Sequence, residues 1–432
     1  MNDPVTVIGG GFAGVEAARQ LSKRGISVRL YEMKPRRFSP AHHSEALCEL
    51  VCSNSFKAAR VDSAAGLLKA EMERFGSLCV RAAKENAVPA GGALAVDRDA
   101  FSAAVTAAVE AEPLIEVVRE EVTEIPREGI VIVAAGPLAS PALSEDITRL
   151  CGERLSFFDA AAPIVTAESV DMTRAFCQSR YEKGGDDYVN CPMNKEEYEA
   201  FYEALVSAER VVLHDFEKDH GVYEGCIPIE IMARRGRDTV RFGPMKPVGL
   251  RDPATGHRPW AVLQLRKENA AGTLYNLVGF QTNLKFGEQK RVFSMIPALH
   301  NAEFARYGVM HRNSFLRSPG LLTAAFHMIE RENVYFAGQI TGVEGYMESA
   351  ASGILAGVNA ARRALGEEQL VLPQTTMMGA LAHYISDPEI KDFQPMGAAM
   401  GLLPPLDSRV RDKRLRYAAL AERALAALPA RP

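Results

Sequence analysis

An α/β fold, in which a parallel sheet wrapped by helices is interrupted by a second α+β unit, is predicted by three features of this sequence. The run VTVIGGGFAGVEAARQLSKRGISVRLYE, residues 5–32, passes from an apolar strand through a glycine turn into a helical pattern and out into a second strand. A later segment, ENVYFAGQITGVEGYMESAASGILAGVNAARRAL, repeats the order of strand, glycine loop and helix near the other end of the chain. Between them lies a long section of different composition that holds the single tryptophan, Trp260, and a dense basic stretch.

In the opening run, Gly9, Gly11 and Gly14 fall at G-x-G-x-x-G spacing. Gly9 permits the turn, Gly11 lets the backbone approach a pyrophosphate, and Gly14 lets the helix pack against the strand, while unpaired N–H groups at the helix start attract phosphate. The second strand ends in Glu32, a carboxylate placed to take the ribose hydroxyls of an adenosine. Strand VIVAAGP, 131–137, resembles the middle signature of glutathione-reductase-like flavoproteins. The late strand from Val334 leads to Gly338, Gln339 and Gly342 and then to a long small-residue helix from about Tyr346, whose N-terminus is predicted to face the flavin end of FAD. Three separated signatures therefore predict a glutathione-reductase-like, FAD-binding Rossmann domain, with tightly bound FAD. Gln339 departs from the Asp that many such proteins carry there. The predicted boundaries are 1–150 for the first part of the FAD-binding domain and 151–315 for an inserted substrate- or RNA-binding domain. Residues 316–432 would form the second part, with a helical basic tail.

Composition is that of an ordinary globular chain: 432 residues, 47% hydrophobic and 24% charged. A net charge of −4 excludes a global cationic field, so a polyanionic partner would have to meet local basic patches. Seven cysteines without regular spacing do not make a disulfide framework and fit reduced thiols in a cytoplasm. The N-terminus enters a strand at once with no leader pattern, and no apolar run suffices to span a membrane. A cytoplasmic protein, monomeric or weakly oligomeric, is expected.

The stretch HHSEALCELVCSNS, 42–55, concentrates two histidines and two cysteines. Zinc at His42, His43, Cys48 and Cys52 lacks the C-x-x-C pairing of common structural sites, and no metal is expected. Cys48 and Cys52 fit one face of a helix, across which a disulfide would be strained. Cys48, among Ala46, Leu47 and Leu50, reads as core. Cys52 is followed by Ser53, Asn54 and Ser55, poor core material suited to binding a ligand. In VYEGCIPIE, Cys226 lies between Gly225 and Pro228, where nucleophile and core filler are equally compatible with the residues. Just beyond it, Arg234, Arg235, Arg237, Arg241, Lys246 and Arg251 accumulate around Phe242 with only Asp238 and Asp252 to offset them. They are read as phosphate contacts, against a solvated strand pair as the plain alternative. Arg409, Arg411, Lys413 and Arg414 form a second basic segment on a predicted C-terminal helix.

CELVCSNSFK, YEGCIPIE, GPMKPVGL, VGFQTNLK, HRNSF and FAGQITGVEGYMESAASGILAGVNAAR together resemble the folate- and FAD-dependent tRNA uracil-5-methyltransferase family, TrmFO, over nearly the whole chain. The resemblance implies methyl transfer to C5 of uridine 54 in the tRNA T-loop, with 5,10-methylenetetrahydrofolate as carbon donor, reduced FAD as hydride source and NADPH or NADH as its reductant. It further implies that Cys226 is the nucleophile adding at C6 and Cys52 the base removing the C5 proton. The rival readings are the same chemistry on ribosomal RNA, a flavin oxidoreductase in which Cys52 and Cys226 form a redox pair, and an RNA-binding flavoprotein without transferase activity.

Overall fold

The computed structural model describes residues 3–152, 154–182, 185–211 and 227–429. Five short strands, β1 (Val5–Ile8), β2 (Val28–Tyr31), β6 (Ile115–Val118), β7 (Val131–Val133) and β16 (Val334–Phe336), form one parallel sheet in the order β16-β7-β1-β2-β6. They are rich in valine and isoleucine because helices and loops cover both faces, as all-parallel sheets require. The registers pair Ile8 with Tyr31 and with Val133, and Val133 with Phe336, so the carboxyl ends of four strands finish level. The loops leaving these four strands are therefore gathered at one edge of the sheet.

Helix α1 (Phe12–Ser22) runs from the first turn and packs on α10 (Tyr346–Ala364). Small residues set the closeness of that crossing. A Cβ on Gly353 would lie 2.6 Å from Ala13 Cα, and one on Gly357 2.7 Å from Ala17 Cα. Helices α2 (Ala64–Arg74), α3 (Leu78–Glu85) and α4 (Arg98–Glu110), with a small sheet of β3 (Ser55–Ala58), β4 (Ala87–Val88) and β5 (Ala93–Val96), complete this half together with α5 (Pro141–Cys151), α11 (Met377–Ser386) and α12 (Lys413–Ala426).

Strands β8 (Arg154–Ala160) and β15 (Met310–Leu316) form an antiparallel ribbon on which the chain leaves and returns. Beyond it, β9 (Ile164–Thr166), β10 (Phe176–Cys177), β11 (Tyr188–Met193), β12 (Ala261–Lys267), β13 (Leu274–Leu277) and β14 (Phe304–Arg306) build a second, antiparallel sheet in the order β10-β11-β12-β13-β9-β14. Helices α6 (Lys195–Ser207), α7 (Ile229–Arg234), α8 (Thr239–Phe242) and α9 (Phe286–Phe293) pack with it around a separate core that includes Tyr198, Phe201, Phe280 and Phe293.

One local expectation fails. Residues 42–52 form no helix: Cys48 has φ +51, and its N–H is bonded to Gly10 O at 3.0 Å while the Leu47 N–H goes to Thr106 Oγ1 at 2.9 Å. Tertiary partners have taken the groups a helix would use, so Cys48 and Cys52 do not share a helical face. The basic stretch forms two short helices joined by turns, not the strand pair of the plain alternative.

Candidate active site

The level strand ends open onto a cavity of about 510 Å³, lined by Gly9 to Ala13, Glu32, Ala134 to Leu138, Gly338, Gln339 and Gly345 to Ser349. Crevices outside the carboxyl ends of parallel strands are where such sheets bind nucleotides. Gly9 holds φ +108, and a Cβ there would sit 2.4 Å from Ala134 O. Gly11, by contrast, has nothing within 4 Å of a would-be Cβ, so the turn keeps open space where a phosphate would approach. On Gly14 a Cβ would lie 1.8 Å from Gly9 O, which is the tight packing of helix on turn. Gly14 and Gly342 thus support the frame, and neither lines the cavity. Glu32 accepts from Gly10 N at 3.0 Å and from Lys34 N at 2.9 Å, which fixes its carboxylate at the rim.

The second helix N-terminus at the cavity is that of α10. Its entry uses Gly338 (φ +86), Gly342 (φ +86) and Gly345 (φ +118), conformations that favour glycine, and the Gly338 N–H is tied to Ser352 Oγ at 2.7 Å. Helices α1 and α10 therefore direct two sets of unpaired N–H groups at one space, an arrangement fitted to a ligand with phosphates. The residues fit FAD. The open cradle at Gly11, the fixed Glu32 carboxylate and the two helix ends would hold the pyrophosphate, the adenosine ribose and the flavin end of such a molecule.

Cys52 lines the same cavity and is half-buried. Its Sγ lies 3.1 Å from Tyr346 Oη, which also accepts from the Cys52 N–H at 2.9 Å. Burial pushes the Tyr346 phenol well above its ordinary pKa, so at Cys52 it acts as a neutral hydroxyl. The Tyr346 ring is held 4.8 Å from Phe12, within an aromatic bed that includes Phe56 and Phe101. Cys48 is buried in the core. Imidazole Nδ1 of His42 lies 2.5 Å from Ser39 Oγ, and among the described residues no His, Cys, Asp or Glu group is arranged to hold a metal ion.

The antiparallel half closes the opposite wall with Arg266, Asn276, Val278, Gly279 and Gln281. Cys226 lies outside the described residues. Ile229 donates to the carbonyl of cavity-lining Gln281 at 2.7 Å, and Glu230 accepts from Asn283 N and Thr282 Oγ1. Of the basic residues, Arg234, Arg235, Lys246 and Arg251 are exposed, while Arg237 is paired with Glu203 at 2.6 Å and Arg241 with Asp238 at 2.8 Å. The Arg241 guanidinium also lies 4.2 Å from the Trp260 ring and 4.6 Å from that of Phe242. Arg409 and Arg411, before α12, and Lys413 and Arg414, in its first turn, are exposed, far along the chain from the basic helices. Sequence reasoning did not single out Tyr346, Arg266 or Asn276 as site residues. The only signal for Tyr346 was its place directly after the glycine loop.

A family model described as glucose inhibited division protein A matches residues 4–368. A relative from Moorella thermoacetica is 59% identical over 426 residues, covering 98% of this chain and 97% of its own. Others, from Symbiobacterium thermophilum and Lactiplantibacillus plantarum, are 58% and 57% identical and cover 100% and 98% of this chain, and 97% and 96% of their own. All three bear the name methylenetetrahydrofolate–tRNA-(uracil-5-)-methyltransferase TrmFO. Among solved structures, GidA of Aquifex aeolicus superposes with a TM-score of 0.71 at 17% identity, covering 98% of this chain and 73% of that one. That likeness speaks to the fold alone, an α/β architecture.

Proposed function

The chain belongs to the TrmFO family, and from that premise we propose that it methylates C5 of uridine 54 in the tRNA T-loop, using 5,10-methylenetetrahydrofolate as carbon donor. The observation that carries this reading is Cys52, a thiol opening on the cavity between the two glycine-framed helix ends. Uracil C5 is a weak nucleophile. Addition of the Cys226 thiolate at C6 forms an S–C bond and turns the C5–C6 double bond into an enolate, which attacks the donor methylene through C5. The C5 proton then leaves to Cys52, with the Tyr346 hydroxyl orienting the sulfur, and the carrier departs to leave an exocyclic methylene on the ring. Reduced FAD, when bound, supplies the hydride that converts this methylene to methyl as Cys226 leaves C6, and NADPH or NADH restores the reduced form. A uridine inside a folded tRNA elbow must first be turned out of its stack, and the exposed arginines after Cys226 would hold the backbone around it. The reaction would then take place in the cytoplasm, with tRNA and folate as partners.

Denaturing gels test the two thiol roles. With unmodified tRNA and the folate donor, Cys52→Ala should accumulate a covalent RNA adduct that the wild type does not retain, because the C5 proton cannot leave. Cys226→Ala should form none, even with 5-fluorouridine-containing tRNA. An adduct that persists in Cys226→Ala and vanishes in Cys52→Ala would reverse the assignment.

A further inference from the structure

We infer that Arg98, Arg266 and Arg306 form a cationic clamp behind Cys52, which fixes the 50–54 loop and holds the Cys52 thiol toward its thiolate form. The inference rests on the reading of Cys52 as the base. Three elements far apart in sequence converge on five consecutive residues. Arg98, at the start of α4, donates through Nη1 to Leu50 O. Arg306, at the end of β14, donates through Nη2 to Val51 O at 2.7 Å. Arg266, in β12, donates through Nη2 to Ser53 Oγ and through Nε to Asn54 Oδ1, both at 3.0 Å, and Asn54 Nδ2 returns a bond to Lys267 O at 2.9 Å. Cys52 itself is bonded through its N–H to Tyr346. Each of the residues on either side of the thiol is thus tied to a guanidinium, which is stiffer than a surface loop needs and suits a group that must present one sulfur lone pair.

The charge of the cluster is unbalanced among the described residues. Among the described residues a single carboxylate, Glu268, bonds to any of the three arginines, through Oε2 to Arg98 at 3.0 and 3.2 Å. Its Oε1 is buried with no hydrogen-bond partner among them. Counted over the described residues, three guanidiniums against one carboxylate leave an excess of positive charge in a site where Arg266 is 6% exposed and Glu268 3% exposed. Burial lowers the pKa of Arg266 and of Arg306, and repulsion from Arg98 lowers both further. For Arg98 burial also opposes the charge, but Glu268, then Tyr346 and Cys52, keep it protonated and raise its pKa. A thiolate at Cys52 would relieve this crowding. Cations within a few ångströms lower a thiol's pKa, and a donated phenol hydrogen bond acts in the same direction. Among the described residues, the charged groups acting on the thiol are Arg98 of α4 and Arg306 of β14; Arg266 of β12, with Glu268 beyond it, stands at the adjoining Ser53 and Asn54, and the neutral Tyr346 hydroxyl of α10 touches the sulfur. Lys57 and Glu348, paired at 3.1 Å, stand at the next part of the cavity wall. Arg98, Arg266 and Arg306 are positioning residues. They act through Cys52.

The test is the pH profile of iodoacetamide alkylation at Cys52, followed peptide by peptide in the FAD-loaded full-length protein without RNA. Arg306→Gln keeps a donor for Val51 O and removes the charge. It should raise the apparent pKa of Cys52 alkylation by roughly one unit, slowing the reaction about tenfold at pH values well below the wild-type midpoint. Arg306→Lys, which keeps the charge, should restore the wild-type profile, and a shift in Arg306→Gln despite its retained donor is what a role in loop geometry alone would not predict. Arg98→Met should shift it in the same direction as Arg306→Gln. Identical profiles for wild type, Arg306→Gln and Arg98→Met would overturn the inference. The parent reading fails separately: should Cys52→Ala still form 5-methyluridine at the wild-type rate, Cys52 is not the base, whatever its alkylation profile.

Discussion

Gly11 and Gly14 are three residues apart and answer to different constraints. A side chain on Gly14 meets backbone at 1.8 Å, whereas one on Gly11 meets only open space. Gly14→Ala should therefore destabilise the protein by on the order of 1–3 kcal/mol. Gly11→Val should leave the thermal unfolding midpoint of the ligand-free protein near that of the wild type while abolishing the yellow colour of bound FAD. Absorbance of the purified variants and their melting curves separate the two cases, and a Gly11→Val protein that stays yellow would deny the cradle its role. The glycine spacing was legible because a short-range turn imposes it. The clamp on Cys52 was not: its bonds join residues 48, 213 and 255 positions apart, and nothing local marks an arginine that will find its partner at such distance.

At the scale of elements, the strands and helices around the cavity follow their apolar patterns, and the failure at 42–52 shows what pattern reading omits. Leu47, Leu50 and Val51 recur at helical spacing, yet Gly10, Thr106 and Ser102 claim the backbone of this segment. Helix α11 is held by a similar long-range bond. Glu71 of α2 accepts from Met377 N at 2.7 Å and Met378 N at 2.8 Å, the first two N–H groups of α11. Burial raises the Glu71 carboxyl from its ordinary 4.5 to about 7, against the pull of those two bonds. An acid whose pKa is raised on folding adds stability that is fully present below its unfolded value and is lost as pH rises through the folded one. Wild-type stability should accordingly decline between pH 4.5 and 7, and Glu71→Gln should flatten that part of the curve. The variant should also lose about 1–3 kcal/mol, since an amide has one oxygen for two N–H donors. Denaturant unfolding at several pH values checks both.

For the whole molecule, function depends on two halves closing one cavity, the parallel sheet giving it the nucleotide cradle and the antiparallel sheet giving it Arg266, Asn276 and Gln281. The side chains that would meet across the cavity could not be read from composition. RNA affinity belongs to the whole molecule because the basic residues lie on separate elements. Neutralising Lys246 and Arg251 should weaken tRNA binding and reduce its salt slope by roughly one per lost phosphate contact. Neutralising Arg237 and Arg241, already paired with Glu203 and Asp238, should change it less. Equal slopes for all variants would make the stretch a solvated face. The proposed methyl transfer itself is tested by nucleoside analysis of unmodified tRNA after incubation with the FAD-loaded protein, 5,10-methylenetetrahydrofolate and NADPH. Wild-type protein should yield 5-methyluridine at position 54 of the T-loop and Cys226→Ala none; the absence of 5-methyluridine from wild-type reactions, or its appearance only in ribosomal RNA supplied in parallel, would contradict the proposed function.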